Sequence, residues 1–215
     1  MSSSAKAIPA GRPLALSAVL LACLLFAAAC GRSTPDTAQA PQGTDINVVG
    51  VQNAEDADLF RAAERNDAAT TMLRIEQGAN VNAVNNLKRT PLFAAAFHGS
   101  VDAAKALLAK NADVDAHDAG GLTPLHAAVL GGQAGLATLL LQSGAKIDAA
   151  SGAGMTPLHL AAATGQVELA RLLLAAGADK SIRDRQGETA ARLAETNHHP
   201  ATLALLQKGR TRGGH

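Results

Sequence analysis

Thr90-Pro91-Leu92, Thr123-Pro124-Leu125-His126 and Thr156-Pro157-Leu158-His159 recur at a fixed step of 33 residues, and this recurrence decides the fold. One more step of 33 reaches Thr189-Ala190-Ala191, a degenerate copy, and one step back from Thr90 reaches Ala57-Asp58-Leu59-Phe60. A second landmark keeps the same register: Gly78-Ala79-Asn80, Asn111-Ala112-Asp113, Gly144-Ala145-Lys146 and Gly177-Ala178-Asp179. Self-similarity at this period marks a stack of structural units rather than one closed core.

Each landmark has a local physical task. The hydroxyls of Thr90, Thr123 and Thr156 are placed to cap a helix N-terminus. Pro91, Pro124 and Pro157 then fall at the first helical position, where the missing N–H costs nothing. Leu92, Leu125 and Leu158 open an apolar stripe continued by Ala95, Ala128 and Ala161. Gly99, Gly132 and Gly165 stop the short helix in a left-handed conformation. A second helix carries Val101 with Leu107-Leu108, Leu136 with Leu140-Leu141, and Val167 with Leu173-Leu174. It ends at Gly144 or Gly177, with Asn111 as the tolerated substitute, and a short extended loop leads to the next Thr-Pro.

Helix, turn, helix and extended loop with T-P-L-H-x-A resembles the ankyrin repeat. The resemblance covers roughly residues 55–208 and implies an all-α solenoid of about five repeats, with the outer two as caps. The caps depart from the pattern with polar residues. Asp58 takes the Pro position of the first unit, and Arg192 and His198 take the His and Gly positions of the last. Pro200 separates the helices of that last unit, and Leu203, Leu205 and Leu206 supply its inward face. Residues 209–215 have no apolar partner and read as a disordered tail.

Ahead of the repeats, Lys6 and Arg12 precede an apolar run from Leu14 to Ala29, with no acidic residue before Asp36. This is the layout of a secretory signal over residues 1–29. Ala27-Ala28-Ala29-Cys30-Gly31 resembles the lipobox of bacterial lipoproteins, which implies acylation of Cys30 as the mature N-terminus. That family favours Leu three places before the cysteine, where this chain has Ala27. Leu20-Leu21-Ala22-Cys23 fits the pattern more closely, but cleavage there leaves Leu24-Leu25-Phe26 leading the mature chain. An ordinary cleaved signal or an uncleaved anchor helix is the alternative. Residues 30–54 are rich in Ser, Thr, Pro, Gln and Asn and read as a flexible tether.

The mature chain carries 17 basic against 18 acidic residues, so no polybasic patch assists a lipid anchor or binds nucleic acid. Four Phe and no Trp or Tyr leave the interior to Ala, Leu, Val and Ile. Cys23 and Cys30 both precede the repeats, so disulfides, cysteine-ligated zinc and a cysteine nucleophile are excluded there. The ankyrin family uses the motif imidazoles, here His126 and His159, to hydrogen-bond neighbouring loops. As a metal site the pair lacks a third ligand, since Phe93 and Arg192 occupy the equivalent positions. His198-His199 and His117 between Asp115 and Asp118 are read as solvated loop residues, and Gly120-Gly121 as a turn. No catalytic constellation, cofactor, metal or small-molecule substrate is expected, and the chain is read as a monomer.

The resemblance therefore implies a module that binds another protein. Equivalent positions stack to give the row Glu64, Phe97, Leu130, Ala163, Thr196, flanked by Arg65, His98, Gly131, Thr164 and Asn197. Its apolar centre and polar ends suit an interface on the concave face, and packing of Phe97 under the adjacent loop is the competing reading. Leu122 and Met155 are placed at the loop tips as secondary contacts. The lipobox implies an envelope location with the domain in the periplasm, and Gly31 after the cysteine favours the outer membrane. Resemblance to exported bacterial ankyrin proteins implies a companion of an exported enzyme or toxin; a structural envelope spacer without a dedicated partner is the alternative. Cys30→Ser should abolish incorporation of a fatty-acid probe while Cys23→Ser leaves it intact, and the opposite pattern would reassign the anchor.

Overall fold

A computed structural model describes residues 51 and 53–208. The signal segment 1–29, Cys30, nearly all of the tether and the tail 209–215 lie outside the described residues. Among the described residues are ten helices in five successive pairs. They are α1 (Ala54–Glu64) with α2 (Ala68–Glu76), α3 (Pro91–His98) with α4 (Val101–Ala109), and α5 (Pro124–Leu130) with α6 (Ala134–Gln142). The last two pairs are α7 (Pro157–Ala163) with α8 (Val167–Ala175), and α9 (Ala190–Thr196) with α10 (Pro200–Gln207). First helices pack on first helices of the neighbouring pair, and second helices on second helices.

Local chemistry starts and stops these helices as the repeat requires. Thr90, Thr123, Thr156 and Thr189 are extended N-caps whose hydroxyls accept the backbone N–H three residues on. The first unit differs. Asn53 caps α1 by accepting from the Asp56 N–H at 2.7 Å, so the helix begins at Ala54 and runs longer than its successors. Val51 already packs on Phe60, Ala83 and Ala94. Gly99, Gly132 and Gly165 take left-handed φ of 77°, 72° and 72°, and His198 adopts 59° at the same register in the last unit.

The core is built from columns. Leu59, Leu92, Leu125 and Leu158 form one buried column in the first helices, and Leu107, Leu140, Leu173 and Leu206 form another in the second helices. Each such leucine contributes about 1.5–3 kcal/mol through burial. Between them, Ala62, Ala95, Ala128, Ala161 and Ala194 are buried, and their small side chains let successive helices approach closely. Leu206 completes the last unit's inward face, while Leu203 and Leu205 are half-buried.

A third register landmark lies in the loops. Asn85, Asp118, Ser151 and Asp184 are buried and spaced by 33 residues. One side-chain oxygen of each accepts the backbone N–H groups of residues two and four ahead, at 2.9 and 3.0 Å for Asn85 and 2.8 and 2.9 Å for Asp118. Ser151 and Asp184 repeat the pattern. The loop thereby closes as a narrow hairpin, with the Asp118 N–H donating to the Leu122 carbonyl at 2.9 Å. Neighbouring hairpins join through backbone bonds: Ala119 N–H to the Leu87 carbonyl at 2.8 Å, Gly152 to Gly120 at 2.7 Å, and Arg185 to Ala153 at 3.0 Å. A Cβ on Gly121, at φ 76°, would lie 2.6 Å from the Gly152 nitrogen, so that hairpin contact requires glycine.

Asp118→Ala should cost about 1–2 kcal/mol in denaturant unfolding, because two partly buried N–H groups lose their acceptor. Asp118→Asn should cost about half of that, since it keeps the acceptor that Asn85 supplies one unit earlier. Equal losses for the two variants would contradict the hairpin assignment.

Candidate protein-binding surface

The first helices offer little surface of their own. Every residue from Pro91 to Ala96 and from Pro124 to Val129 is buried, so α3 and α5 reach solvent only at their C-terminal ends. Those ends carry the sequence-predicted row. Phe97 and Leu130 are half-buried, Ala163 is buried, and Glu64 and Thr196 at the extremes are half-buried and exposed. The flanking row places His98 exposed and Gly131, Thr164 and Asn197 half-buried. The Phe97 and His98 rings meet edge to face, with centroids 5.3 Å apart and planes at 87°. A Cβ on Gly131 would collide with the Phe97 carbonyl oxygen, so α3 and α5 draw together at this point because the residue is glycine.

Toward the last unit the row becomes a hydrogen-bonded seam. The Ala163 carbonyl accepts from Asn197 Nδ2 at 3.0 Å and from His199 Nε2 at 3.1 Å. Thr164 turns its hydroxyl inward to the Leu160 carbonyl at 2.7 Å. The accessible apolar part is therefore Phe97 with Leu130.

The structure relocates the loop contacts. Leu122 and Met155, expected at the tips, sit at the hairpin bases, where their backbone bonds close the turn. Met155 is buried, and its carbonyl accepts from His126. Instead, Val84 and Leu87 in the first hairpin are 50% and 41% exposed. Their register equivalents are His117, Ala150 and Arg183 for Val84, and Gly120, Ala153 and Gln186 for Leu87. The sequence held that signal, because only the first hairpin has a large apolar side chain at both positions.

His126 and His159 bridge successive units. The Thr123 backbone N–H donates to Nδ1 of His126 at 3.2 Å, which makes Nε2 the protonated nitrogen, and Nε2 donates to the Met155 carbonyl at 3.0 Å. His159 repeats this between the Thr156 N–H, at 3.2 Å, and the Glu188 carbonyl, also at 3.2 Å. Both ring nitrogens are thus committed to structural hydrogen bonds. Phe93 replaces the imidazole in the second unit. There Arg89 lies 5.1 Å above the Phe93 ring and reaches Asp118 of the next hairpin, Nε to Oδ2, at 3.4 Å. His117 is exposed, with Nδ1 3.2 Å from the Gly121 carbonyl oxygen. Among the described residues no group of three or more His, Cys, Asp or Glu side chains is arranged to hold a metal ion.

Stacked helix pairs joined by a hairpin ladder define an all-helical repeat scaffold. Two family models for ankyrin repeats match the chain, one for three copies over residues 59–151 and one for many copies over residues 140–194. The chain belongs to the ankyrin-repeat proteins. Members of that family are typically non-enzymatic interaction scaffolds. No curated protein matched the chain.

Burial lowers the His126 pKa from its ordinary 6.5 to about 4, with the Met155 bond opposing weakly, and burial also lowers that of His159. Well above pH 6.5 neither folded nor unfolded state holds the His126 proton, and stability is complete. Below it the unfolded chain takes up the proton first, so stability should fall by about 1.4 kcal/mol per pH unit for His126 as pH drops toward 4. Urea unfolding at pH 7, 6 and 5 should show this slope, and it should shrink in His126→Gln. An unchanged slope in that variant would exclude the bridging imidazole as its source.

Proposed function

We propose that this chain is a membrane-anchored recognition module of the bacterial envelope. It is held through acylated Cys30 with its repeats in the periplasm, and it captures one partner protein. The observation that carries the reading is the half-buried Phe97–Leu130 pair at the ends of two otherwise buried helices. Its row ends in polar Glu64 and Thr196, and His98 supplies an aromatic edge. An apolar centre inside a polar rim is the arrangement of protein interfaces, in which few side chains carry most of the affinity. Ala163 and Thr164 close the surface toward the last unit through their hydrogen-bonded seam, and the apolar first hairpin, with Val84 and Leu87, adds a second point of contact. Leu122 and Met155 act by shaping the hairpins beneath. The lipobox-like sequence at Cys30 supports lipid anchoring and Gly31 after it supports the outer membrane, and a companion role beside an exported enzyme or toxin fits an interaction scaffold.

Crosslinking in intact cells, followed by capture of the full chain, tests this. Phe97→Ala with Leu130→Ser should weaken capture of the stoichiometric partner about tenfold or more, with a thermal unfolding transition still cooperative. Normal capture by the folded double variant would remove this surface from the interface, and loss of the folded state would make the pair core.

A further inference from the structure

The hairpin ladder has unlike ends. Inside the stack, the N–H at positions 119, 152 and 185 donates to the carbonyl of the preceding hairpin. At the same register the first hairpin offers the Asn86 N–H and the last offers the Gln186 carbonyl. Among the described residues neither group is paired, and both residues are exposed. A donor edge at one end and an acceptor edge at the other are complementary in the sense that continues the ladder.

The helical layers are unlike in the same way. Leu73 on α2 is 48% exposed, although its equivalents Ala106, Leu139 and Leu172 are half-buried. At the other end, between α9 and α10, is an open groove of about 320 Å³ lined by Ala194, Glu195, His198, His199, Pro200 and Leu203. Charge follows the same polarity. Residues 53–79 hold six carboxylates against three arginines, whereas residues 180–208 hold five Lys or Arg against three carboxylates.

We propose that copies of this chain associate head to tail, the first unit of one docking on the last unit of another so that the hairpin ladder and helix layers run on between them. Attraction between an acidic head and a basic tail favours this orientation over head to head or tail to tail. Because the contact joins two different surfaces along the stacking direction, each pair keeps one free head and one free tail, and copies add in line. The resulting assembly replaces the monomer expected from the sequence and multiplies the row that begins at Phe97, giving a partner several sites in series. The inference is independent of what that row binds.

Sedimentation velocity of the full chain over a range of concentrations tests the proposal. The mean mass should keep rising with concentration, and added salt should suppress the rise. Leu73→Arg spoils the head at an exposed position, removing the apolar contact and setting a positive charge against the basic tail. Pro200→Asp spoils the tail at the exposed first residue of α10, where a carboxylate suits the helix. Each variant alone should weaken association about tenfold or more. An equal mixture of the two should form one-to-one pairs and nothing larger, since one intact head meets one intact tail. A monomer at every concentration would overturn the inference. So would association untouched by either variant, which would assign it to the residues preceding Val51, or two weakened variants that fail to pair when mixed.

Discussion

A loop that turns back on itself between two helix pairs exposes backbone N–H groups that secondary structure does not satisfy, and the stack depends on how they are satisfied here. One buried side-chain oxygen per loop, from Asn85, Asp118, Ser151 or Asp184, takes two of them. Another N–H is taken by the carbonyl of the hairpin before, in the Leu87–Ala119, Gly120–Gly152 and Ala153–Arg185 contacts. The second kind of bond exists only when units are stacked. It converts a set of helix pairs, none able to bury its own apolar face, into a continuous structure.

The imidazoles of His126 and His159 tie the helical layer to this ladder. Each accepts from the N-cap threonine backbone of its own unit and donates to the hairpin of the next. A protonated ring has no lone pair at Nδ1 for the threonine N–H, so that bond and burial favour the neutral form, against the opposing pull of the carbonyl bonded to Nε2. The Arg89–Phe93–Asp118 contact joins the second unit to the third by different chemistry, through a guanidinium between a ring and a carboxylate. The geometry of the stack is thus preserved across a substitution that removes the motif histidine.

Alanine decides what surface remains. The columns running through Ala95, Ala128 and Ala161 bring the first helices so close that six successive residues of α3 and of α5 are buried. Along the first helices and their hairpins, accessible apolar groups are kept at Phe97 and Leu130 and at Val84 and Leu87, and Leu73 adds one on the outer face of α2. The Phe97 row therefore offers apolar surface at its centre alone, from the second and third units, between half-buried Glu64 and exposed Thr196 at its ends.

Much of this was legible in the sequence, because helix caps, left-handed termini and apolar stripes are local and repeat at a step of 33 residues. Thr-Pro at each start, Gly99, Gly132 and Gly165 at each stop, and the buried Leu and Ala columns are encoded within a few residues of where they act. The loop oxygens share that step, yet their type varies among Asn, Asp and Ser, so their common role emerges only when the backbone shows which N–H groups they accept. Burial of Met155 at a hairpin base, the exposure of Val84 and Leu87, and the closeness of Gly131 to the Phe97 carbonyl were decided by the tertiary structure. Each depends on the neighbouring unit, whose position is set by contacts between residues about 33 apart and not by any single stretch of chain.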